Sequence, residues 1–332
     1  MTRLRTVLLG AGKSGRLFAA ALSEHPAVNL CAVVSRTSAS AQVVASAAGC
    51  LALAAQDDWI SPRPDLVVVA TPHHLHHRQV IRALQSGASV LCDKPVALSP
   101  SERNAITAAA ERHGGRVYCS MVQRCSEAAL ECRQYLRDER ARISFVGIQQ
   151  ILARARPYYE TWKGRRDQAG GGVLINQAIH ALDLAQFVTD SEFRLDSCLS
   201  WTSRDVEVET AMSAALTLGP NVPVLLTATT ASAIDEQQVI RVSLGDELVL
   251  VVGSEVVSWG CVRSSDEVES VIAELAVGGN VYGPGYRGAV DDVVTSLLNG
   301  AASRYGIEMD QTASTHNLVF EIYQRLARER SP

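Results

Sequence analysis

The chain has 332 residues, 47% of them apolar and 20% charged, with a formal net charge of −4. That length suits two domains, and the balance is that of an ordinary soluble protein with no electrostatic case for a nucleic-acid or anionic-membrane partner. Apolar runs such as 66–70 and 248–252 have strand length and are too short to span a bilayer. The opening Met1-Thr2-Arg3-Leu4-Arg5 lacks an apolar signal-peptide core. A cytoplasmic protein is therefore expected, and its eight cysteines, none in a C-x-x-C pair, are expected to be reduced and mostly buried thiols.

An apolar run at 6–9 ends at glycine, a helical pattern runs through Leu22, and a second apolar run follows at 30–34. That is one βαβ unit. Helical and strand patterns then alternate: helix at 41–48, strand at 65–70, helix at 77–85 and strand at 89–92. Ser99-Pro100 opens another helix, and a strand follows at 116–119. A doubly wound parallel Rossmann sheet over residues 1–120 accounts for this stretch. Beyond a helix at 127–138, strands dominate, at 143–152, 197–203, 210–218, 222–230, 238–244, 247–252 and 255–262. The region 121–311 thus reads as an α+β domain with a mostly antiparallel open sheet, interrupted by a helix at 172–188. Helices at 287–299 and about 312–330 are expected to pack back on the first domain.

Gly10-Ala11-Gly12-Lys13-Ser14-Gly15 has the G-x-G-x-x-G spacing, directly after a strand and opening a helix. Such glycines allow a tight turn, close approach of backbone to a pyrophosphate, and helix–strand packing. The helix N-terminus adds N–H donors and a positive dipole end. A site for NAD wants a carboxylate at the end of the second strand. This chain has Ser35-Arg36-Thr37 there instead. A guanidinium and two hydroxyls suit a 2′-phosphate, so NADP(H) is favoured, with NAD(H) as the alternative.

Further phrases follow in order: Val67-Val68-Val69-Ala70-Thr71-Pro72, then Leu75-His76, then Val90-Leu91-Cys92-Asp93-Lys94-Pro95, and later Gly170-Gly171-Gly172-Val173-Leu174-Ile175-Asn176-Gln177-Ala178-Ile179-His180. Together with the glycine loop they resemble the Gfo/Idh/MocA family of oxidoreductases. The resemblance implies a Rossmann domain, a second domain with an open antiparallel sheet, and hydride transfer at a carbon bearing a hydroxyl or carbonyl, usually on a sugar or cyclitol. It places Lys94 and His180 at the active site and suggests a cis peptide before Pro95. Asp93 stands where the family usually has glutamate, and Asn176 where many members have aspartate.

A lysine just past a strand's C-terminal end can hydrogen-bond a substrate oxygen. Imidazole titrates near neutrality and can give or take the proton that ketone reduction or alcohol oxidation demands. On a regular helix Asn176 shares a face with His180, and Asp183 is also within reach. The expected cofactor contacts are the 10–15 loop, Ser35, Arg36, Thr37, Thr71, Pro72, His73, His76, Asp93 and Lys94. Expected substrate contacts are Lys94, Gln123, Arg124, Tyr158, Trp162, Asn176, Gln177 and His180. Tyr159 and Arg165 lie in the same aromatic and basic loop, which suits a sugar or nucleotide sugar. The run His73-His74-Leu75-His76-His77 has no companion carboxylate or thiolate at a ligand spacing, so no metal is expected.

The leading reading is an NADP(H)-dependent oxidoreductase of a sugar, nucleotide sugar or cyclitol, forming a homodimer or homotetramer through the open sheet. Two alternatives stay open: an inactive dinucleotide-binding regulatory relative, and a dehydrogenase of imines or amino-containing substrates.

Overall fold

The computed structural model describes residues 3–61, 63–203, 205–236, 238–253, 257–276 and 283–329. Two compact units are present, residues 1–125 with 282–312, and residues 126–281 with 313–332.

The first unit holds six strands, β1 (Leu4–Leu9), β2 (Val28–Ser35), β3 (Leu51–Ala54), β4 (Leu66–Val69), β5 (Ser89–Asp93) and β6 (Val117–Ser120). They pair in parallel in the order β3-β2-β1-β4-β5-β6. Helices α1 (Lys13–Glu24), α2 (Ser38–Ala48), α3 (His73–Gln85) and α4 (Pro100–His113) are the crossovers. Every residue of β4 is buried, as expected of a central strand covered on both faces. The order reverses between β1 and β4, and ligands in open α/β sheets bind beyond the strand ends at that point. β3 is an element that the apolar pattern does not announce, because its Leu51 is exposed and the run is only four residues long.

The second unit carries α5 (Glu127–Asp138), α6 (Ile179–Val188) and α7 (Val268–Ala276). Its sheet consists of β7 (Ile143–Ile151), β8 (Phe193–Trp201), β9 (Ala211–Leu218), β10 (Val222–Thr229), β11 (Gln238–Leu244), β12 (Glu247–Gly253) and β13 (Val257–Val262). The order is β13-β12-β11-β7-β10-β9-β8, antiparallel throughout except for the parallel pair β7–β10. The first residues expected of the last strand, 255 and 256, lie outside the described residues. Alternation along β9 and β10 buries Leu216, Val224, Leu226 and Ala228 and leaves Leu225 half exposed. Leu199 and Trp201 on β8 are likewise exposed.

The chain then returns to the first unit with α8 (Pro284–Asn299) and ends in the second with α9 (Ala313–Glu329). Tyr286 of α8 packs edge-on against Phe18 of α1, ring centroids 4.8 Å apart. The final helix corrects the expectation for 312–330. It lies on β8 and α6 of the second unit, where it buries Leu318, Val319 and Ile322. An amphipathic stripe shows that a helix must be covered but not which sheet covers it. No cysteine is bridged, and five of the eight are buried.

Candidate active site

The glycines of the first loop do different jobs. Gly10 has φ +111°, and a Cβ there would lie 2.2 Å from the Ala70 carbonyl oxygen. A Cβ on Gly15 would lie 2.1 Å from the carbonyl oxygen of Gly10. Both are required by backbone packing between the ends of β1 and β4 and the start of α1. Gly12 is different: its Cβ would meet nothing within 4 Å, and no side chain caps α1 at this position. The first-turn N–H groups therefore face an open cradle, which fits a dinucleotide pyrophosphate. Tyr286 borders the loop, its hydroxyl donating to Ser14 Oγ at 3.4 Å. Its place 272 residues downstream of Ser14 hides it from any reading of local spacing.

At the end of β2, Ser35 is half-buried and Arg36 exposed. Thr37 caps α2, accepting from Ser40 N at 3.2 Å, so its side chain serves the helix start. The first turn of α2 has no acidic residue.

Beyond β4, Thr71 Oγ1 bonds the Gln79 side chain, and Pro72 and His73 begin α3. His76 is fully buried between two carbonyls, with Nδ1 2.7 Å from Pro95 O and Nε2 2.7 Å from Thr71 O. Burial pushes its imidazole down from the usual range, opposed by the Pro95 carbonyl, Asp93 and the Thr71 carbonyl. It thus ties the β4 exit to the turn after β5 and is enclosed rather than presented to a ligand. The histidine run is divided in role, since His77 Nδ1 sits 3.2 Å from Glu102 Oε1. Among the described residues no group of three or more His, Cys, Asp or Glu side chains converges as a metal site.

Lys94 is half-buried just past β5, and the Lys94–Pro95 peptide is cis. Asp93 turns back on the turn itself, accepting from Lys94 N at 2.9 Å. Ser120, the register partner of Asp93 on β6, is fully buried with its hydroxyl unpartnered among the described residues. Gln123 and Arg124 follow in a short 3₁₀ turn, both 4% exposed. Arg124 donates to the carbonyls of Gly306 (2.8 Å) and Gln311 (3.2 Å). Its guanidinium braces that loop.

In the second unit, residues 174–178 form a π-helical turn that runs into α6. The π turn carries one residue more than an α turn, so Asn176 and His180 do not have the regular i, i+4 relation. Asn176 is 9% exposed, and its amide donates to the carbonyls of Gly171 and Gly172 at 3.1 Å each. It holds the glycine turn closed. His180 is half-buried one residue into α6. Asp183, expected near the imidazole, accepts from Thr315 Oγ1 at 2.9 Å.

The aromatic loop folds onto the same π turn. Gln177 donates to Tyr158 OH, which packs edge-on against Tyr159 with centroids 5.0 Å apart. Lys163 Nζ lies 4.7 Å from the Tyr158 ring and 5.6 Å from the Trp162 ring. Burial pushes the Tyr158 phenol up to about 12, so it stays a neutral hydroxyl. Arg165 is exposed beside Asp167. The structure therefore brings Tyr158, Trp162 and Gln177 together in one wall. Local spacing gives no signal for Glu209 or Tyr323, whose side chains bond the glycine turn from far along the chain.

Two family models match the chain. Residues 4–121 match an oxidoreductase family with an NAD-binding Rossmann fold, and residues 145–254 match the GFO/IDH/MocA C-terminal domain. A putative UDP-kanosamine synthase oxidoreductase subunit from Amycolatopsis mediterranei is 34% identical over 56% of this chain and 51% of its own. The chain spans about half the length of the curated relatives it matches. Among solved structures, the WlbA dehydrogenase from Bordetella pertussis, in complex with NADH and UDP-GlcNAcA, superposes with TM-score 0.83. It is 22% identical, over 99% of this chain and 96% of that one. KijD10, a 3-ketoreductase from Actinomadura kijaniata in complex with NADP and TDP-benzene, gives 0.80 at 14% identity, over 97% and 98%. With its glycine loop, open sheet and both domain matches, the chain belongs to the Gfo/Idh/MocA family of oxidoreductases.

Proposed function

We propose that the protein is an NADP(H)-dependent oxidoreductase that moves hydride to or from a hydroxyl or carbonyl carbon of a nucleotide sugar or related sugar or cyclitol. The observation that carries the reading is the open cradle at Gly12, at the point where the sheet order reverses. Support for NADP(H) comes from Arg36 at the end of β2 and from the lack of an acid in the first turn of α2. The aromatic and cationic wall of Tyr158, Trp162 and Lys163 suits a sugar face, and the kanosamine-type relative supports a nucleotide sugar.

Bound NADP(H) supplies or accepts the hydride. The chain's own residues handle the oxygen and its proton. In reduction, the Lys94 ammonium hydrogen-bonds the carbonyl oxygen and stabilises the negative charge that grows on it. His180 delivers the proton that makes the hydroxyl, and in oxidation it takes that proton away. The loop at Gly10–Gly15 and the wall at Tyr158 bind and orient, which is where most of the protein's share of such a reaction lies. We further propose that the exposed Leu199, Trp201 and Leu225 are covered by a second copy of the chain.

The test is turnover across sugars, keto-sugars, nucleotide sugars and inositols, followed by the absorbance of NADPH and, in parallel, of NADH. NADPH should be preferred by about 10-fold or more, the value of one charge-assisted contact to the 2′-phosphate. Arg36→Asp should reverse the order. Equal use of both cofactors by the wild type would remove Ser35-Arg36 from cofactor selection.

A further inference from the structure

The segment that leads to His180 begins with four backbone N–H groups that no helical turn can satisfy, those of Gly172, Val173, Leu174 and Ile175. All four are met by two residues from distant parts of the chain. The Glu209 carboxylate accepts from Gly172 N through both oxygens at 2.9 Å, and from Leu174 N at 3.3 Å. The Glu209 carbonyl accepts from Val173 N at 3.0 Å. The Tyr323 hydroxyl accepts from Ile175 N at 3.3 Å and donates to Glu209 Oε1 at 2.7 Å. Glu209 is 2% exposed, and its negative charge faces the positive end of the helix that follows.

The glycines before His180 are shaped to this clamp. A Cβ on Gly171 would lie 2.1 Å from Tyr323 OH, and one on Gly172 would lie 1.8 Å from the Glu209 carbonyl oxygen. Burial, reinforced by Glu209, holds the Tyr323 phenol well above its usual range, so it remains a donor. A second pin lies on the far side of His180. Thr315 Oγ1 donates to Asp183 at 2.9 Å and accepts from Gln186 Nε2 at 2.9 Å. Thr315 and Tyr323 both belong to α9, so one helix grips the His180 segment before and after the imidazole.

We infer that Glu209 and Tyr323 are positioning residues for His180, and that α9 sets the place of the imidazole by clamping the π turn on one side and Asp183 on the other. The π turn supplies the reason for a clamp. A single π turn is a rare departure from α geometry, and a segment free to revert to α would rotate the residues after it. The inference rests on the proposed acid/base role of His180 only for its effect on rate; the placement itself stands on the contacts above.

The experiment uses the full chain with 13C-labelled histidine, comparing wild type, Tyr323→Phe and Glu209→Gln. Tyr323→Phe should move or broaden the His180 imidazole resonance while the buried His76 resonance stays in place. Turnover should fall by about 10-fold, with NADPH affinity unchanged, as expected of a misplaced acid/base group. Glu209→Gln, which loses one acceptor oxygen, should move the same resonance. Should Glu209→Gln fail to fold, Tyr323→Phe decides alone. A His180 resonance that keeps its wild-type position in folded Tyr323→Phe overturns the inference, whatever the rate does. A wild type that turns over nothing would count against the functional reading instead, and the resonance would still decide this one.

Discussion

Replacing His180 by alanine should lower turnover by about 10²-fold or more and leave NADPH affinity nearly intact. General acid–base groups contribute roughly 10² to 10⁴ in rate, and 10² corresponds to about 2.7 kcal/mol of the barrier. The proposed dinucleotide contacts are the 10–15 loop and Arg36, with His180 acting on the substrate oxygen, so the loss should fall on chemistry and not on dinucleotide binding. The half-buried ring at the start of α6 can be shortened to a methyl without opening a large core void, so the variant should fold. Steady-state rates with saturating NADPH, together with a fluorescence titration of the cofactor, separate the two effects. Wild-type turnover in the variant would take His180 out of the reaction.

Gly12→Ala should raise the NADPH dissociation constant by about 10-fold or more while leaving the melting temperature of the cofactor-free protein unchanged. The backbone at Gly12 has φ −75°, a value alanine adopts without strain, and the added methyl meets no protein atom within 4 Å. It occupies the space through which the pyrophosphate must approach, and a 10-fold loss needs only about 1.4 kcal/mol of crowding. Gly10→Ala is the contrast. There the methyl would lie 2.2 Å from a backbone oxygen, at φ +111°, so the fold itself should suffer. Thermal melts with and without NADPH distinguish the two. Equal cofactor-induced stabilisation in wild type and Gly12→Ala would remove the pyrophosphate from that cradle.

Much of this organisation is legible in the residues themselves. The glycine spacing, the all-apolar β4 and the alternation along β9 and β10 are local patterns, and local patterns carry the periods of strands and helices. Lys94-Pro95 and His180 are found through phrases whose order along the chain is distinctive. What stays hidden is what sequence-distant contacts decide. Arg124 looks like a cation beside a strand end, but its guanidinium is claimed by the carbonyls of Gly306 and Gln311. Asn176 looks like a substrate contact on the same helix face as His180, yet the π turn changes the register between them, and its amide closes the glycine turn. Glu209 and Tyr323 read as an ordinary acid before a strand and an ordinary tyrosine on an amphipathic helix. Only their meeting at Gly172 and Ile175 gives them a role. The same holds for α9, whose stripe demands cover without saying which sheet gives it.

The central claim is hydride transfer between NADPH and a carbon of a sugar-like substrate. With the best keto-substrate from the turnover panel, NADPH carrying deuterium at C4 on one face or the other tests it directly by mass spectrometry of the product. One of the two labelled cofactors should yield product with a single deuterium on the new carbinol carbon, and the other should yield none. Product that carries no deuterium from either cofactor would contradict the account.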